Sequence, residues 1–455
     1  MRSVFMKTAS TLVVALLTAV SAFAEQPFKI NVVDEANGWP VPLVELRTLH
    51  NVRFISDNAG VIAFDLPELM NTEIWCAVEG HGYVVPKDGF GYRGVRFTPR
   101  PGESITFKVQ RQLAAKRLGR ITGAGIFGES QKLGLETDWT EQGILGCDSV
   151  QNVIHNERLY WNWGDTILAN YPLGRFHMIG ATTQSQPLAS FEPPIRLRYN
   201  YFVDQAKVVR DLAKMPGDGP TWLNGYCSLP DRNGISRLVA TYSKIKQALT
   251  VYEVGLCTWN DDSSVFEKSS VIWSLSAENP NPTAIPHGHT VIWKDDDGKS
   301  WVLFGDPFPT MKCPATYEAW ADSTTWSTID AQASVPVSGG GVSVEPHRGS
   351  IAWNDFRKKW VTVFTQKFGD TSPLGEIWYA EADTPFGPWK DAIKVVTHDD
   401  YTFYNPRIHP GFTPKGSPIL LFEATFTKSF SGTEIATPRY DYNQVLYRLD
   451  LDSIR

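Results

Sequence analysis

Carboxyl and imidazole side chains recur at equivalent places in two hairpin-like segments of the chain. Asp148 precedes a polar-to-aromatic segment that ends at Gly164-Asp165, and His289 opens a similar segment that ends at Gly305-Asp306. The glycine follows 16 residues after the first residue in both segments. Carboxyl and imidazole groups transfer protons near neutral pH, so acid–base chemistry is the first hypothesis for these positions.

Cationic side chains and two further acids occupy related places in the later segments. Arg348 follows the start of a fourth segment, and Arg407 and His409 lie in a fifth. Glu376 begins the strand after the fourth segment, and Glu423 is predicted to end the second strand of the fifth. Guanidinium groups bind carboxylate or sulfate through paired hydrogen bonds, so these cations favour an anionic ligand.

The elements that must position these residues form a repeat. Each unit passes from polar residues through an apolar strand, turns at Asn, Asp or Gly, and returns as an aromatic-rich strand. The five units are GCDSVQNVIHNERLYWNWGDT, TWLNGYCSLPDRNGISRLVATYSK, PHGHTVIWKDDDGKSWVLFGDP, HRGSIAWNDFRKKWVTVFTQ and NPRIHPGFTPKGSPILLFEATF. Most units are followed by two more strands, and four-stranded sheets repeated about an axis predict an all-β fold, a five-bladed β-propeller. A large sandwich with coincidental spacing is the alternative.

A propeller would bring the candidate residues to one end of its axis. In each blade the first strand starts, and the antiparallel second strand ends, at the same face. We therefore expect Asp148, His289, Arg348, Arg407 and His409 to surround one central mouth, with Asp165, Asp306 and Glu423 beside them. Asp165 and Asp306 could instead cap turns, and the histidines could be structural.

The run LGEIWYAEADTPFGPW at 374–389 illustrates how scaffold can resemble a signature. We interpret it as the third strand of the fourth blade followed by a turn. Trp389 is predicted to pack between blades, Glu381 to be structural, and Glu376 to lie on the face of the propeller that carries Asp148.

The first part of the chain has a different pattern. Residues 1–24 are typical of a cleavable export signal, which predicts a secreted or periplasmic protein. Residues 25–112 alternate with period two, which predicts a small antiparallel β-sandwich before the propeller. We assign 113–123 to a linker with helix-forming residues and 124–455 to the propeller.

Bulk composition excludes several partners. The net charge is −6 and no run of Lys and Arg occurs, which argues against nucleic acid, and no segment after the signal is apolar enough to insert into a membrane. The five cysteines lack metal-ligand spacing. The sequence leaves the oligomeric state open.

Two family resemblances follow from these motifs. The segment from VVDEANGWPVPLVELRT to SDNAGVIAFDLP resembles the transthyretin-like domain of the carboxypeptidase-regulatory type. Residues 120–450, through YWNWGDT and WYAEADTPFGPW, resemble propeller glycoside hydrolases of the arabinanase, β-xylosidase and anhydrogalactosidase type, and the propeller endo-D-arabinanases.

The second resemblance implies roles for particular residues. It implies that Asp148 is the base or nucleophile and that a Glu, here Glu376 or Glu423, donates the proton. It also implies a second Asp that tunes the acid, but the second unit offers Asn224 instead. No cofactor is expected with certainty; a structural calcium held by a central histidine is one option that similar propellers suggest.

Three functions remain open from the sequence. The leading one is a hydrolase that cleaves an acidic or sulfated polysaccharide or oligosaccharide with paired carboxyl groups. A lyase could use the cations to neutralise a uronate and Tyr401, Tyr404 or His409 to remove a proton. A non-catalytic carbohydrate-binding propeller could use the 16 tryptophans as stacking surfaces.

Overall fold

The computed structural model describes residues 26–141 and 143–454. The predicted export signal lies outside the described residues. Strands dominate the described chain. Two short α-helices, α1 (Gly128–Lys132) and α2 (Tyr317–Ala321), accompany them. The 3-10 helices are Pro67–Leu69, Leu188–Phe191, Gln247–Leu249, Ser323–Thr325, Pro410–Phe412 and Leu451–Ser453. None of the helices in the described part is long and apolar enough to cross a membrane.

The first eight strands form two four-stranded sheets. They are β1 (Phe28–Asp34), β2 (Glu45–Thr48), β3 (Arg53–Ile55), β4 (Val61–Phe64), β5 (Ile74–Glu79), β6 (Tyr83–Val84), β7 (Gly94–Phe97) and β8 (Ser104–Arg111). The sheet orders are β4-β1-β8-β6 and β3-β2-β5-β7. Buried and partly exposed residues alternate along β1 and β5, because one face of each sheet packs on a shared core. The predicted small β-sandwich is therefore present; its transthyretin-like identity stays a prediction.

Five further four-stranded sheets follow. The strands up to the second sheet are β9 (Lys116–Arg120), β10 (Gly146–Cys147), β11 (Gln151–His155), β12 (Arg158–Trp163), β13 (Thr166–Leu168), β14 (Tyr171–Arg175), β15 (Ile179–Thr183), β16 (Asn200–Tyr201), β17 (Thr221–Pro230), β18 (Ser236–Lys246), β19 (Thr250–Asn260) and β20 (Val265–Ser274). The remaining strands are β21 (His289–Lys294), β22 (Ser300–Gly305), β23 (Pro309–Pro314), β24 (Ser327–Thr328), β25 (Val335–Pro336), β26 (Ser343–Val344), β27 (Pro346–Asn354), β28 (Lys359–Gln366), β29 (Ile377–Ala382), β30 (Lys390–Val396), β31 (Thr402–Ile408), β32 (Ile419–Thr427) and β33 (Asn443–Asp450).

These five sheets form a closed ring. Their orders are β11-β12-β15-β16, β17-β18-β19-β20, β21-β22-β23-β24, β27-β28-β29-β30 and β31-β32-β33-β9. The first strands contact one another in turn, β11 with β17, β17 with β21, β21 with β27 and β27 with β31. Arg407 and His409 at the end of β31 then bond to Asn152 in β11, which completes the circle. The predicted five-bladed β-propeller is therefore confirmed, with the first strand of each blade innermost.

The fifth blade is closed by a strand from far upstream. β9 pairs antiparallel with β33 as the outermost strand of this blade. The segment 113–123, predicted to be a linker with helix-forming residues, thus contains a strand, since pairing with the open edge of β33 outweighs helix propensity. The predicted domain boundaries themselves stay predictions.

The same strand joins the propeller to the sandwich. The buried guanidinium of Arg117 donates to the carbonyls of Gly80 and His81, and the Arg120 N–H donates to Asn58 Oδ1 at 2.9 Å. The Tyr440 hydroxyl donates to the Ser56 carbonyl at 3.0 Å. The contacts are buried and polar on both sides, so the two parts hold each other through fixed hydrogen bonds.

The run at 374–389 has the predicted structural role. β29 is the third strand of blade four, and Trp389 is 1% exposed, stacked on Phe308 of blade three with ring centroids 5.1 Å apart. Glu381 accepts a hydrogen bond from the Tyr379 hydroxyl and pairs with Arg357 at 3.0 Å. Glu381 is therefore structural, as predicted.

Candidate active site

Asp148 lies between β10 and β11, just before the innermost strand of the first blade. The Tyr404 hydroxyl, from the inner strand of blade five, donates to Asp148 Oδ2 at 2.5 Å. The Gly164 N–H donates to the Asp148 carbonyl at 2.8 Å, so the predicted pairing across this hairpin exists. A Cβ on Gly164 would lie 2.2 Å from Asp148 Oδ1, so only glycine leaves room for the carboxyl group.

The backbone beside Asp148 is held by blade five. Ser149 has a φ of 54°, a left-handed conformation that is unfavourable for serine without support. Asn405 Nδ2 donates to Ser149 Oγ at 2.6 Å, and the Ser149 N–H donates to Thr425 Oγ1 at 3.4 Å. The position of the Asp148 carboxyl group is thus set by two blades together.

Asp148 and Asp165 form an unequal pair of carboxyl groups. Burial raises the pKa of Asp148, while hydrogen bonds from Tyr404, Tyr442 and Ser149 oppose that rise. Burial and the charge of Asp148 raise the pKa of Asp165 to about 6, and its hydrogen bond from Trp222 Nε1 is long, at 3.3 Å. Asp148 is therefore the better-stabilised anion, and Asp165 holds a proton more readily.

Asp306 and Arg348 link blades three and four at the same end of the axis. Arg348 Nη1 lies 3.5 Å from Asp306 Oδ2, and the Gly349 N–H donates to Asp306 Oδ1 at 2.7 Å. Burial still raises the pKa of Asp306 to about 6. The Arg348 side chain is 42% exposed, and its charge also favours the ionised form of Asp148. Arg348 is thus a solvent-exposed cation at the mouth, beside the carboxyl groups.

Three histidines near this arginine are held neutral. Burial and the charge of Arg348 lower the pKa of His287 and of His347 to about 4. His289 pairs with Gly305 across its hairpin, as predicted, and burial together with Arg407 and Arg348 lowers its pKa well below the usual range. Neutral imidazoles can donate and accept hydrogen bonds to sugar hydroxyls without adding charge.

Arg407, His409 and Glu423 form a buried network rather than an open site. Asn152 Nδ2 donates to His409 Nδ1 at 3.0 Å, which leaves the His409 proton on Nε2, 2.8 Å from Glu423 Oε1. Arg407 lies opposite Glu423 in the strand register and donates to the Asn152 carbonyl. Glu423 is fully buried in the middle of β32, so the prediction that it ends this strand at the mouth is wrong. The charge of Glu423 favours the ionised form of Arg407 and so opposes the lowering of its pKa by burial.

Glu376 is likewise engaged elsewhere. It precedes β29 and is 1% exposed, and Lys394 on the outer strand of blade four donates to its Oε1 at 2.9 Å. Among the contacts of the described residues, none joins Glu376 to Asp148. The contact with Lys394 engages this carboxylate on the side of the outer strand, so the structure does not bring the two predicted catalytic partners together.

Two residues that are not among the predicted site residues complete the site. Tyr442 precedes β33 and donates to Asp148, and Trp222 in blade two reaches Asp165. Tyr404 was considered only as a lyase base, and Tyr401 is buried with its hydroxyl bonded to the Ile435 carbonyl. In the sequence, Tyr442 is marked only by its position before an inferred strand. Its contact with Asp148 is not visible there, because Asp148 belongs to another blade.

No group of three or more His, Cys, Asp or Glu side chains in the described part of the chain is placed to hold a metal ion. The structural calcium therefore has no such ligand cluster among these residues and stays a prediction. All five cysteines are buried and free, so burial raises the pKa of the thiols of Cys147 and Cys257, among others, and none is poised as a nucleophile.

Some solved structures resemble this chain, but no protein-family model and no curated protein matches it. An exo-1,5-α-L-arabinanase from a bovine ruminal metagenomic library is 12% identical, covering 68% of this chain and 95% of its own, with a TM-score of 0.39. An exo-β-1,3-galactanase from Phanerochaete chrysosporium is 11% identical over 68% and 61%, with a TM-score of 0.38. An arabinanase from Bacillus subtilis is 14% identical over 68% and 96%, with a TM-score of 0.35. The fold assignment rests on the strand pairing and the ring of inner strands, not on these similarities.

Proposed function

We propose that this protein is a glycoside hydrolase whose catalytic carboxyl groups are Asp148 and Asp165. The observation that carries the proposal is their unequal environment: hydroxyl donors support the Asp148 anion, while Asp165 has a pKa of about 6. Hydrolysis of a glycosidic bond needs one protonated and one ionised carboxyl group at the scissile bond. The solved structures that resemble the chain act on arabinan or galactan by their names, which is consistent with this reaction class.

In this proposal Asp165 protonates the leaving oxygen while Asp148 activates water or attacks the anomeric carbon. Tyr404 and Tyr442 hold the Asp148 carboxylate ionised and oriented through hydrogen bonds. Asp306 also has a pKa of about 6 and is the second candidate for the acid. It ranks below Asp165 because Arg348 and the Gly349 N–H already engage both of its oxygens.

We further propose an acidic or sulfated glycan as substrate. Arg348 supports this because its guanidinium is 42% exposed at the mouth and its ion pair with Asp306 is loose, at 3.5 Å. A uronate or sulfate group on the sugar could bind it with two hydrogen bonds. Arg407 and His409 do not serve this role in the proposal, because both are buried in the network with Glu423. The export signal inferred at 1–24 supports action outside the cytoplasm.

The test is a polysaccharide panel assayed for new reducing ends and for absorbance from a new carbon–carbon double bond. A hydrolase releases reducing ends without that absorbance. Asp148→Asn and Asp165→Asn should each reduce turnover at least a hundredfold, since general acid–base catalysis contributes about 10²–10⁴-fold. Full activity in Asp148→Asn would contradict the assignment, and the double-bond signal would identify a lyase instead.

The matched control is Glu376→Gln, which alters a buried carboxyl group away from the proposed pair. This variant should retain the pH profile of the wild type even where its stability falls. An unchanged KM of Arg348→Ala for the best substrate would contradict the anionic-substrate part alone, leaving the reaction class in place.

A further inference from the structure

Two exposed phenylalanines stand in the loops that follow the second strands of blades four and five. Phe368 comes two residues after β28 and is 79% exposed, and Phe430 comes three residues after β32 and is 65% exposed. Second strands end at the face of the propeller that carries Asp148, so both rings lie on that side.

Both residues also have an unfavourable backbone conformation. The φ angles are 52° at Phe368 and 58° at Phe430, in the left-handed region where bulky residues are uncommon. They are the phenylalanines with such angles in the described part of the chain. Tyr442, which holds Asp148, has a φ of 61° in the same group of loops. Residues held in sparsely populated conformations cluster at binding sites.

Hydrogen bonds hold the two loops in these shapes. The Phe368 N–H donates to the Pro373 carbonyl at 2.6 Å, and the Gln366 N–H donates to the Glu376 carbonyl at 3.0 Å. In the other loop the Lys428 N–H donates to Asp441 Oδ1 at 2.7 Å, and Lys428 Nζ donates to the Glu434 carbonyl. The rings are thus presented by closed turns, so little ordering remains to be done on binding.

Each ring is connected to one side of the proposed active site. Phe430 lies edge-on to Tyr404, with ring centroids 6.2 Å apart, and Tyr404 donates to Asp148. Phe368 follows Lys367, whose N–H donates to the Glu345 carbonyl three residues before Arg348. The two aromatic residues therefore flank the mouth on its Asp148 side and on its Arg348 side.

We propose that Phe368 and Phe430 are stacking platforms for the sugar rings of a glycan chain that crosses the mouth. This rests on the proposed function, and it adds that the site holds sugars on both sides of the cleaved bond. The apolar CH face of a pyranose or furanose ring stacks on an aromatic ring, whereas its hydroxyls stay in water. A partner of this chemistry fits aromatic rings beside polar groups better than an apolar peptide does.

Affinity gel electrophoresis tests the platforms, with arabinan, galactan, xylan, alginate and carrageenan as probes and Asp148→Asn as the background. We expect Phe368→Ala and Phe430→Ala each to weaken retardation by the best polysaccharide about threefold to tenfold, the range of an aromatic stacking contact. Phe430→Tyr should keep the retardation and Phe430→Leu should lose it, because only a ring stacks. Phe90→Ala is the matched control, since Phe90 is 92% exposed in the sandwich.

Failure of this inference differs from failure of the reaction class. Unchanged retardation in both alanine variants, or full retardation in Phe430→Leu, overturns the platforms while released reducing ends still support the hydrolase. Retardation that depends on both rings without any product supports the platforms and contradicts the hydrolase. A protein that no polysaccharide retards contradicts both. The melting temperature of each variant shows whether the protein still folds.

Discussion

Replacement of Tyr404 by phenylalanine is the sharpest perturbation of the proposed site. It removes one hydroxyl from a ring that is 8% exposed and deletes the 2.5 Å hydrogen bond to Asp148. A hydrogen bond to a charged group contributes about 1.5–3 kcal/mol. One pKa unit corresponds to about 1.4 kcal/mol, so the pKa of Asp148 should rise by about one to two units in the variant.

The direction of the pH effects follows from this. The pKa of Asp148 in the folded protein is already above its ordinary value of 3.8, so ionisation of this carboxyl group opposes folding. The contribution of Asp148 to stability is therefore fully present below pH 3.8 and is lost as the pH rises through the folded pKa. Loss of the donor raises that folded pKa further. Tyr404→Phe should therefore cost about 1.5–3 kcal/mol of unfolding free energy at pH 7 and distinctly less at pH 3.5.

Two assays measure this prediction. Urea unfolding at pH 7 and pH 3.5 gives the two stability differences, and the acid limb of kcat/KM should move up by about one to two pH units. Tyr401→Phe is the control, because its hydroxyl donates to the neutral Ile435 carbonyl and its loss should cost the same at both pH values. Equal costs at both pH values in Tyr404→Phe, with an unmoved acid limb, would refute the reasoning.

Three further outcomes are expected. Asp165, with a pKa of about 6, should supply the basic limb of the pH profile, so the residual activity of Asp165→Asn should lack the wild-type fall above pH 6; a persisting fall would point to Asp306. Lys394→Ala leaves the buried Glu376 carboxylate without its cation and should lower the free energy of unfolding in urea by about 1–3 kcal/mol. This range is below that of a fully buried pair because the Lys394 side chain is 28% exposed. The double variant with Glu376→Gln should recover part of the loss. A chain without residues 1–120 lacks β9 and should aggregate or melt far lower than one without 1–112, because only the former exposes the edge of β33; equal melting temperatures would contradict the closure role.

The number and position of the blades could be predicted from local pattern. The interval from His289 to Gly305 corresponds to a pair directly opposite in β21 and β22, and the interval from Asp148 to Gly164 to a backbone hydrogen bond. Hairpins are built from residues close in the chain, so their spacing is visible without knowledge of the remaining fold. The same holds for Trp389, whose place after the third strand predicted its packing between blades.

The catalytic pairing could not be predicted in this way. Asp148 was recognised, but its hydroxyl donors Tyr404 and Tyr442 come from the last blade, which meets the first only when the ring closes. Glu423 and Glu376 had the right residue type, yet each is buried against a cation or a histidine that sequence spacing does not reveal. Protonation depends on burial and on neighbouring charges, and both are set by contacts between distant segments.

The sequence by itself thus determined the all-β class, the sandwich before the repeats and the hairpins that carry Asp148, Asp165 and Asp306. Only the tertiary structure decided which of these side chains face the mouth, and that β9 rather than a later strand completes the fifth blade. The physical reason is that strand patterning is local with period two, whereas ring closure and desolvation arise from packing between blades.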